Sequence, residues 1–256
     1  MCTLALFLRQ FEDYPVVIAA NRDEHSFRPS EAPNLWPAAP AILAGKDLQA
    51  GGTWLGVNSS GVAAAIVNRR MPTESNPAAR SRGLLCLDML QAETIVDARA
   101  TLPYEDAARY QPFILVVAGA DDGFAAYNSQ NDIETVNLKP GLHVFGNTSF
   151  TDADGKKLDR ARELFTAAGE SLAPPLGAPG SLDAAVAALR AVLSDHTPIE
   201  DETRGALCVH TPGADYGTVS STIIFQSKRE RQYYFYHAAG PPCRTEFHPL
   251  PPLAIV

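Results

Sequence analysis

The order of strand-like and helix-like segments along the chain most constrains its fold. Short apolar runs bounded by turn residues predict strands, and apolar residues at helical spacing predict helices. The helices fall into two pairs: residues 84–90 with a segment capped by Thr94, and residues 156–168 with residues 181–194. Strands precede, separate and follow these pairs. Because parallel β/α folds alternate strand and helix regularly, the grouped order predicts an α+β fold in which helices cover antiparallel sheets in layers.

The predicted strands share an apolar composition and end at residues typical of turns. They are residues 4–8, 16–20, 52–57, 62–67, 112–118, 124–128, 134–137, 142–145, 206–210, 218–225 and 232–237. Residues 25–40 are rich in proline and lack periodicity, so they are predicted to form a loop. Residues 68–80 and 173–180 are predicted loops as well.

Charge and length limit the classes of partner. Of the 256 residues, 21 are basic and 29 are acidic, which gives a formal net charge of −8. An acidic chain without a basic run is not expected to bind nucleic acid or an anionic membrane as its main partner. No apolar run reaches the ~18 residues of a membrane-spanning helix. We therefore expect no nucleic-acid partner and no membrane insertion.

The cysteine pattern is typical of a reducing compartment, and the histidine pattern is not typical of a metal site. Cys2, Cys86, Cys208 and Cys243 form no CxxC motif and are too sparse for a disulfide framework. The histidines lack the spacing typical of a metal site. The N-terminus lacks the basic region and the long apolar run of a secretory signal. The sequence therefore predicts a cytoplasmic protein with free thiols and no bound metal.

Cys2 is the most informative single position. Removal of Met1 would leave one residue that carries both a thiol and a free α-amine. The α-amine has a pKa of about 7.7–8.0 in model compounds and can accept the proton of its own thiol. The alternative is that Cys2 begins a buried strand and packs as a small apolar residue.

A polar tetrad, Asn21-Arg22-Asp23-Glu24, follows the second predicted strand. If the first two strands pair, the tetrad comes close to Cys2. Asp23 could then orient the amine or thiol, and Arg22 could hold a carboxylate or balance the charge of Asp23. The alternative is a solvated loop with a local ion pair.

Other polar or aromatic residues lie at the ends of predicted strands. Trp54 could form an aromatic wall, and Asn68 and Asn147 could donate hydrogen bonds to an oxyanion; core packing and turn formation are the respective alternatives. Thr218 and Ser220 could line a pocket or form the polar face of an edge strand. Arg69 and Arg70 could make the rim of a cleft positive. The predicted substrate-binding residues are Asn21, Arg22, Trp54, Arg69, Thr218 and Ser220.

Together these motifs resemble the NRDE family, the transport and Golgi organisation type 2 family. The resemblance rests on Met1-Cys2, the tetrad, residues 51–58, Tyr216-Gly217-Thr218 and residues 220–224. It implies a four-layer αββα sandwich of two antiparallel sheets, the N-terminal-nucleophile (Ntn) hydrolase fold. It also implies a distant relationship to choloylglycine hydrolases, penicillin V acylases and isopenicillin N acyltransferases. The motifs would have to converge on one cleft, which predicts a single domain over residues 1–256.

The resemblance assigns roles to individual residues. Cys2 matches the nucleophile of the acylases, and Asp23 matches the residue that orients it. Asn68 and Asn147 resemble their oxyanion-site asparagines. Val219 departs from the family pattern, which usually has Arg at that position.

The function implied is hydrolysis or acyl transfer on an amide or thioester of a small molecule. The reaction would pass through an S-acyl enzyme at Cys2 and would need no metal or organic cofactor. The alternative is a non-enzymatic haem-binding or haem-trafficking protein on the same fold, for which the sequence offers no CxxCH motif.

Overall fold

Two antiparallel sheets lie face to face in the computed structural model of this chain. The structure describes residues 2–69, 76, 78–129, 132–147, 155–172, 181–198 and 205–256. Met1, Arg70 and the predicted loop 173–180 lie outside the described residues. Each sheet has seven strands within the described part of the chain.

The first sheet, sheet A, contains the N-terminal strands and the C-terminal strands. Its spatial order is β10 (Gly141–Phe145), β1 (Thr3–Leu8), β2 (Val16–His25), β11 (Tyr216–Ser227), β12 (Gln232–Ala238) and β13 (His248–Pro249), with β14 (Leu253–Ala254) also paired to β12. Strand β2 therefore lies between β1 and β11.

The second sheet, sheet B, follows the chain order from one edge to the other. Its strands are β3 (Ser30–Trp36), β4 (Ile42–Asp47), β5 (Leu55–Asn58), β6 (Ala63–Asn68), β7 (Phe113–Ala118), β8 (Gly123–Asn128) and β9 (Ile133–Asn137). Every pairing between neighbouring strands of this sheet is antiparallel.

The helices cover the outer faces of the two sheets. Helices α1 (Arg82–Leu90) and α2 (Ile95–Thr101) pack on sheet B, and α3 (Lys156–Leu172) and α4 (Ser181–Leu193) pack on sheet A. Short 3₁₀ helices occupy Leu102–Tyr104 and Ala107–Arg109. The predicted cap of α2 is confirmed, since the Asp97 amide donates to Thr94 Oγ1 at 3.0 Å. In the described part of the chain, no helix has the length and apolar character needed to cross a membrane.

Both faces of the central strands are buried, which explains why β1 reads as a continuous apolar run. Successive side chains of a strand point to opposite faces. Leu4, Leu6 and Leu8 pack into the core between the sheets, whereas Ala5 and Phe7 pack against α3 and α4. The predicted four-layer arrangement is therefore confirmed.

Three predicted boundaries were wrong. Strand β2 continues through the polar tetrad to His25, because β11 pairs with that half of the strand. Residues 25–40 contain β3 instead of a continuous loop; β3 lies at a sheet edge, and its register shifts between Glu31 and Asn34, around Pro33. Residues 206–210 form no strand beyond a single bridge from His210 to Gly217.

The pH dependence of stability should report on buried His237. Burial lowers the pKa of His237 to about 4, and its Nδ1 lies 3.1 Å from Thr222 Oγ1. The unfolded chain takes up this proton near pH 6.5, so stability should fall as the pH drops from about 6.5 towards 4. In His237→Gln, urea denaturation should show a fall smaller by up to roughly 3 kcal/mol. Exposed His248→Gln is the control, and an unchanged pH slope in His237→Gln would contradict the prediction.

Candidate active site

The antiparallel pairing of β1 with β2 brings the tetrad to the N-terminal end of β1. Thr3 lies opposite Asn21 in the register, so Cys2 is next to the tetrad. The Sγ of Cys2 lies 4.0 Å from the carbonyl oxygen of Asp23. Burial raises the pKa of the Cys2 thiol. The thiol is therefore neutral near pH 7 and needs a base before it can act as a nucleophile.

Arg22 projects into the space between the two sheets. Its guanidinium lies 4.3 Å from the centre of the Trp54 ring, which is a cation–π contact. The residue is only 7% exposed, and its guanidinium forms no salt bridge or hydrogen bond with another described residue. Burial lowers the pKa of Arg22 because the charged form loses its hydration. An anionic ligand would supply the missing counter-charge.

Two adjoining pockets meet at Cys2, Arg22 and Trp54. The inner pocket encloses about 350 Å³ of space between atoms, some of it open to solvent, and its lining is largely apolar. Its other lining residues are Thr3, Leu4, Ala20, Asn21, Leu55, Ala65, Ile66, Val67, Ser220 and Thr222. Ser220 lies opposite Arg22 in the β2–β11 register and therefore borders the same space.

The outer pocket is larger and more polar. Its volume is about 920 Å³, including space open to solvent, and its lining contains Asn68 and several charged residues. Arg28 is neutralised there by Asp47, with an Nη2–Oδ2 distance of 2.7 Å. Arg82 donates to the Pro112 carbonyl at 2.9 Å and makes no salt bridge with a described residue. Two guanidinium groups without carboxylate partners, those of Arg22 and Arg82, thus border the outer pocket.

The side chain of Asp23 lies on the opposite face of sheet A. Its Oδ1 accepts a 2.6 Å hydrogen bond from Thr218, and its Oδ2 lies 3.9 Å from Nζ of Lys157 on α3. Thr218 Oγ1 in turn accepts from the amide of Val209 at 2.8 Å. The Asp23 carboxylate is therefore buried on the helix-facing side of sheet A, where it binds β11 and α3. The backbone carbonyl of Asp23 is the group that faces Cys2.

Asn21 also points towards the helices. Its Nδ2 donates to the carbonyls of Leu193 and Leu207 at 2.8 and 2.9 Å, and its Oδ1 accepts from Ser221 at 2.5 Å. These bonds connect the end of α4 and the irregular segment before β11 to the central strand. The side chain of Asn21 is thus engaged within the protein, although the residue borders the inner pocket.

The two asparagines assigned to the oxyanion site are adjacent but differ in their contacts. Asn68 lines the outer pocket together with Cys2, and its side-chain amide has no hydrogen bond to a described residue. Asn147 donates from Nδ2 to the Asn68 carbonyl at 2.5 Å and borders neither pocket. Asn147 therefore supports the backbone of Asn68.

Two predicted substrate-binding residues lie outside both pockets. Thr218 is behind the strand, where it holds Asp23. Arg69 turns towards β8, donates to the Asn128 carbonyl at 3.0 Å and lies 5.2 Å from the Tyr127 ring.

The sequence of this chain is similar to those of known proteins. The chain matches the family described as Transport and Golgi organisation 2 over residues 1–238. It belongs to this family. It is 33% identical over 236 residues to the Transport and Golgi organization protein 2 homolog of Bos taurus, and 31% identical over 237 residues to that of Homo sapiens; each alignment covers 82% of both chains.

A solved structure identifies the fold of this Transport and Golgi organisation 2 family member. An N-acylethanolamine-hydrolysing acid amidase orthologue from Caenorhabditis elegans superimposes with a TM-score of 0.56 at 11% identity, covering 87% of this chain and 92% of that one. The αββα sandwich is therefore the Ntn-hydrolase fold. At this identity the likeness concerns the fold alone.

The sequence reasoning missed Lys157 and Arg82, because each becomes part of the site only through tertiary packing. A signal did exist for Lys157. It lies four residues before Ala161 and eight before Phe165, on the apolar stripe of α3. A lysine on that stripe is buried by the helix packing and needs a partner there.

The buried pair of Lys157 and Asp23 should be important for stability. Lys157→Met leaves the Asp23 charge without its partner, and removing one member of a buried pair typically costs roughly 3–5 kcal/mol. Since Thr218 still donates to Asp23, we expect a loss of roughly 3 kcal/mol in the free energy of unfolding, measured by urea denaturation.

Lys156→Met is the matched control for this prediction, because Lys156 is the exposed neighbour on the same helix. Its free energy of unfolding should stay within about 0.5 kcal/mol of wild type. Equal losses in the two variants would show that the pair is not the cause.

Proposed function

We propose that this protein is an Ntn-type cysteine hydrolase or acyltransferase that acts on an amide or thioester of a small molecule. The observation that carries the proposal is the position of Cys2, whose thiol lies between an apolar pocket and a polar one, next to the guanidinium of Arg22. The Ntn-hydrolase fold supports the same reaction class.

Activation of the thiol begins with the removal of Met1. The free α-amine of Cys2 then takes the proton from the thiol, whose pKa is raised by burial. The carbonyl of Asp23 orients the thiol, and the carboxylate of Asp23 keeps this end of β2 in place through Thr218 and Lys157. In this proposal Asp23 is a positioning residue.

The thiolate attacks the substrate carbonyl carbon, a C–S bond forms, and the carbonyl oxygen becomes an oxyanion. The free side-chain amide of Asn68 stabilises this oxyanion. When the intermediate collapses, the bond to the leaving amine or thiol breaks, and the α-ammonium returns the proton to that group. Water or an amine then attacks the S-acyl enzyme with the α-amine as base, which releases the acyl group and regenerates the thiol.

Each pocket holds a different part of the substrate. The apolar inner pocket accepts the acyl group. The polar outer pocket accepts the leaving group, and the guanidinium groups of Arg22 and Arg82, which have no carboxylate partner among the described residues, favour a leaving group with a carboxylate, phosphate or sulfonate. The negative net charge of the whole chain does not oppose this, because four arginines and three acidic residues line the outer pocket.

Cys2 should be the site of covalent chemistry. Incubation with acyl amides and thioesters should give a burst of product and an acyl adduct on Cys2, detected by intact mass and peptide mapping. Cys2→Ala should abolish adduct and turnover while circular dichroism stays unchanged. Cys86→Ala is the matched thiol control and should keep the adduct, because Cys86 lies on the buried face of α1 and lines neither pocket. Undiminished turnover in Cys2→Ala would refute the proposal.

Arg22 should select for anionic leaving groups. Arg22→Met is expected to raise KM for anionic substrates at least about tenfold, equivalent to about 1.4 kcal/mol. KM for neutral substrates with the same acyl group should change much less, since only the anion loses a charge-assisted contact. Equal changes for both substrate sets would contradict the assignment.

Haem binding, the alternative function from the sequence, stays a prediction.

A further inference from the structure

Four potential metal ligands come together at a surface remote in sequence from the tetrad. They are His196, Cys208, His210 and Cys243, and one ligand atom from each lies within 4.8 Å of the others. His196 follows α4, Cys208 and His210 belong to the irregular segment before β11, and Cys243 lies in the loop after β12. Chain spacing alone did not reveal this group because three separate segments supply it.

The distances within the group match the edges of a tetrahedral zinc site. With Zn–S near 2.3 Å and Zn–N near 2.0–2.1 Å, ideal edges are about 3.8 Å for S–S and about 3.6 Å for S–N. The Sγ atoms of Cys208 and Cys243 are 3.7 Å apart. Nε2 of His210 lies 3.6 Å from Sγ of Cys208 and 3.3 Å from Sγ of Cys243.

His196 completes the set. Its Nδ1 lies 3.2 Å from the carbonyl oxygen of Cys208, and its ring centre is 5.0 Å from that of His210. When Nδ1 donates to this carbonyl, Nε2 is the ligand nitrogen, which is the usual arrangement around metal-bound histidines. His196 is exposed, so the shift of about 1 Å that closes the tetrahedron meets little resistance.

We propose that these four residues bind one structural Zn²⁺ ion. Two thiolates and two neutral imidazoles form a complete Cys₂His₂ set, for which Zn²⁺ is the typical ion. Binding releases one proton from each thiol, and the two negative charges balance the charge of the ion. Because all four positions are filled by protein, the site is structural and leaves no position for a substrate.

The metal would fix the segment that supports the tetrad. The carbonyl of Leu207 accepts from Asn21, and the amide of Val209 donates to Thr218, the partner of Asp23. The zinc ligands Cys208 and His210 alternate with these residues. Among the described residues, the segment pairs as a strand only through the bridge between His210 and Gly217, so a metal crosslink to the Cys243 loop supplies order that strand pairing does not.

The test measures zinc in the full-length protein, purified without a histidine tag and without chelators. Mass spectrometry of elements should find about one zinc ion per chain. Cys243→Ser and His210→Asn should lose most of it, whereas the controls Cys2→Ser and His248→Asn should keep it. Replacement of zinc by Co²⁺ in wild type should give thiolate-to-cobalt charge-transfer bands and the intense visible bands of a tetrahedral site.

Stability provides a second measurement that does not depend on how well the variants fold. A chelator should lower the Tm of wild type, and added Zn²⁺ should restore it. Zinc content equal in Cys243→Ser and wild type would overturn the proposal. So would wild type without zinc, a different stoichiometric metal, or an intact mass that shows a Cys208–Cys243 disulfide. Cys2→Ser keeps the metal but lacks the nucleophile, so failure of the catalytic proposal and failure of the metal site give separate results.

Discussion

Asn21, Arg22 and Asp23 are buried in the middle of a sheet, where they lose their hydration and need partners within the protein. They are 1%, 7% and 3% exposed, respectively. A buried polar or charged group without a partner is costly. Lys157 of α3 and Thr218 of β11 meet this requirement for Asp23. The positions of the helix layer and of the central strands are thus linked through one polar segment of β2.

The alternation of side chains along a strand explains why adjacent residues of the tetrad contact different parts of the structure. Asn21 and Asp23 face the helices, and Arg22 faces sheet B, because successive side chains point to opposite sides. Arg22 is left with an aromatic ring instead of a carboxylate. A cation that is already in place beside Cys2 can bind an anionic group without first breaking an ion pair with a described residue.

The sequence was sufficient for the layers and for the pairing of β1 with β2, because these depend on local apolar patterns. It was insufficient wherever distant segments supply the partners. The second strand was predicted to end before the tetrad because the contacts of the tetrad with β11 and α3 are distant along the chain. Arg69 was predicted to lie at the rim of the cleft, yet its guanidinium donates to the carbonyl of Asn128 at the end of β8. Cys208 and His210 are two residues apart and would share one face of an extended segment, a signal that becomes meaningful only when Cys243 is brought beside them.

The division of the tetrad between two faces has a consequence for how defects would present in a cell. Loss of Asn21 removes bonds that hold α4 and the segment before β11, so the damage is to the population of folded molecules, which quality-control proteases then reduce. Loss of Arg22 removes no such bond, and the folded molecules persist with an altered pocket. Substitutions at adjacent positions of one short motif would therefore have different effects. A chaperone or a bound ligand would restore the amount of folded protein after loss of Asn21, but neither would restore the pocket after loss of Arg22.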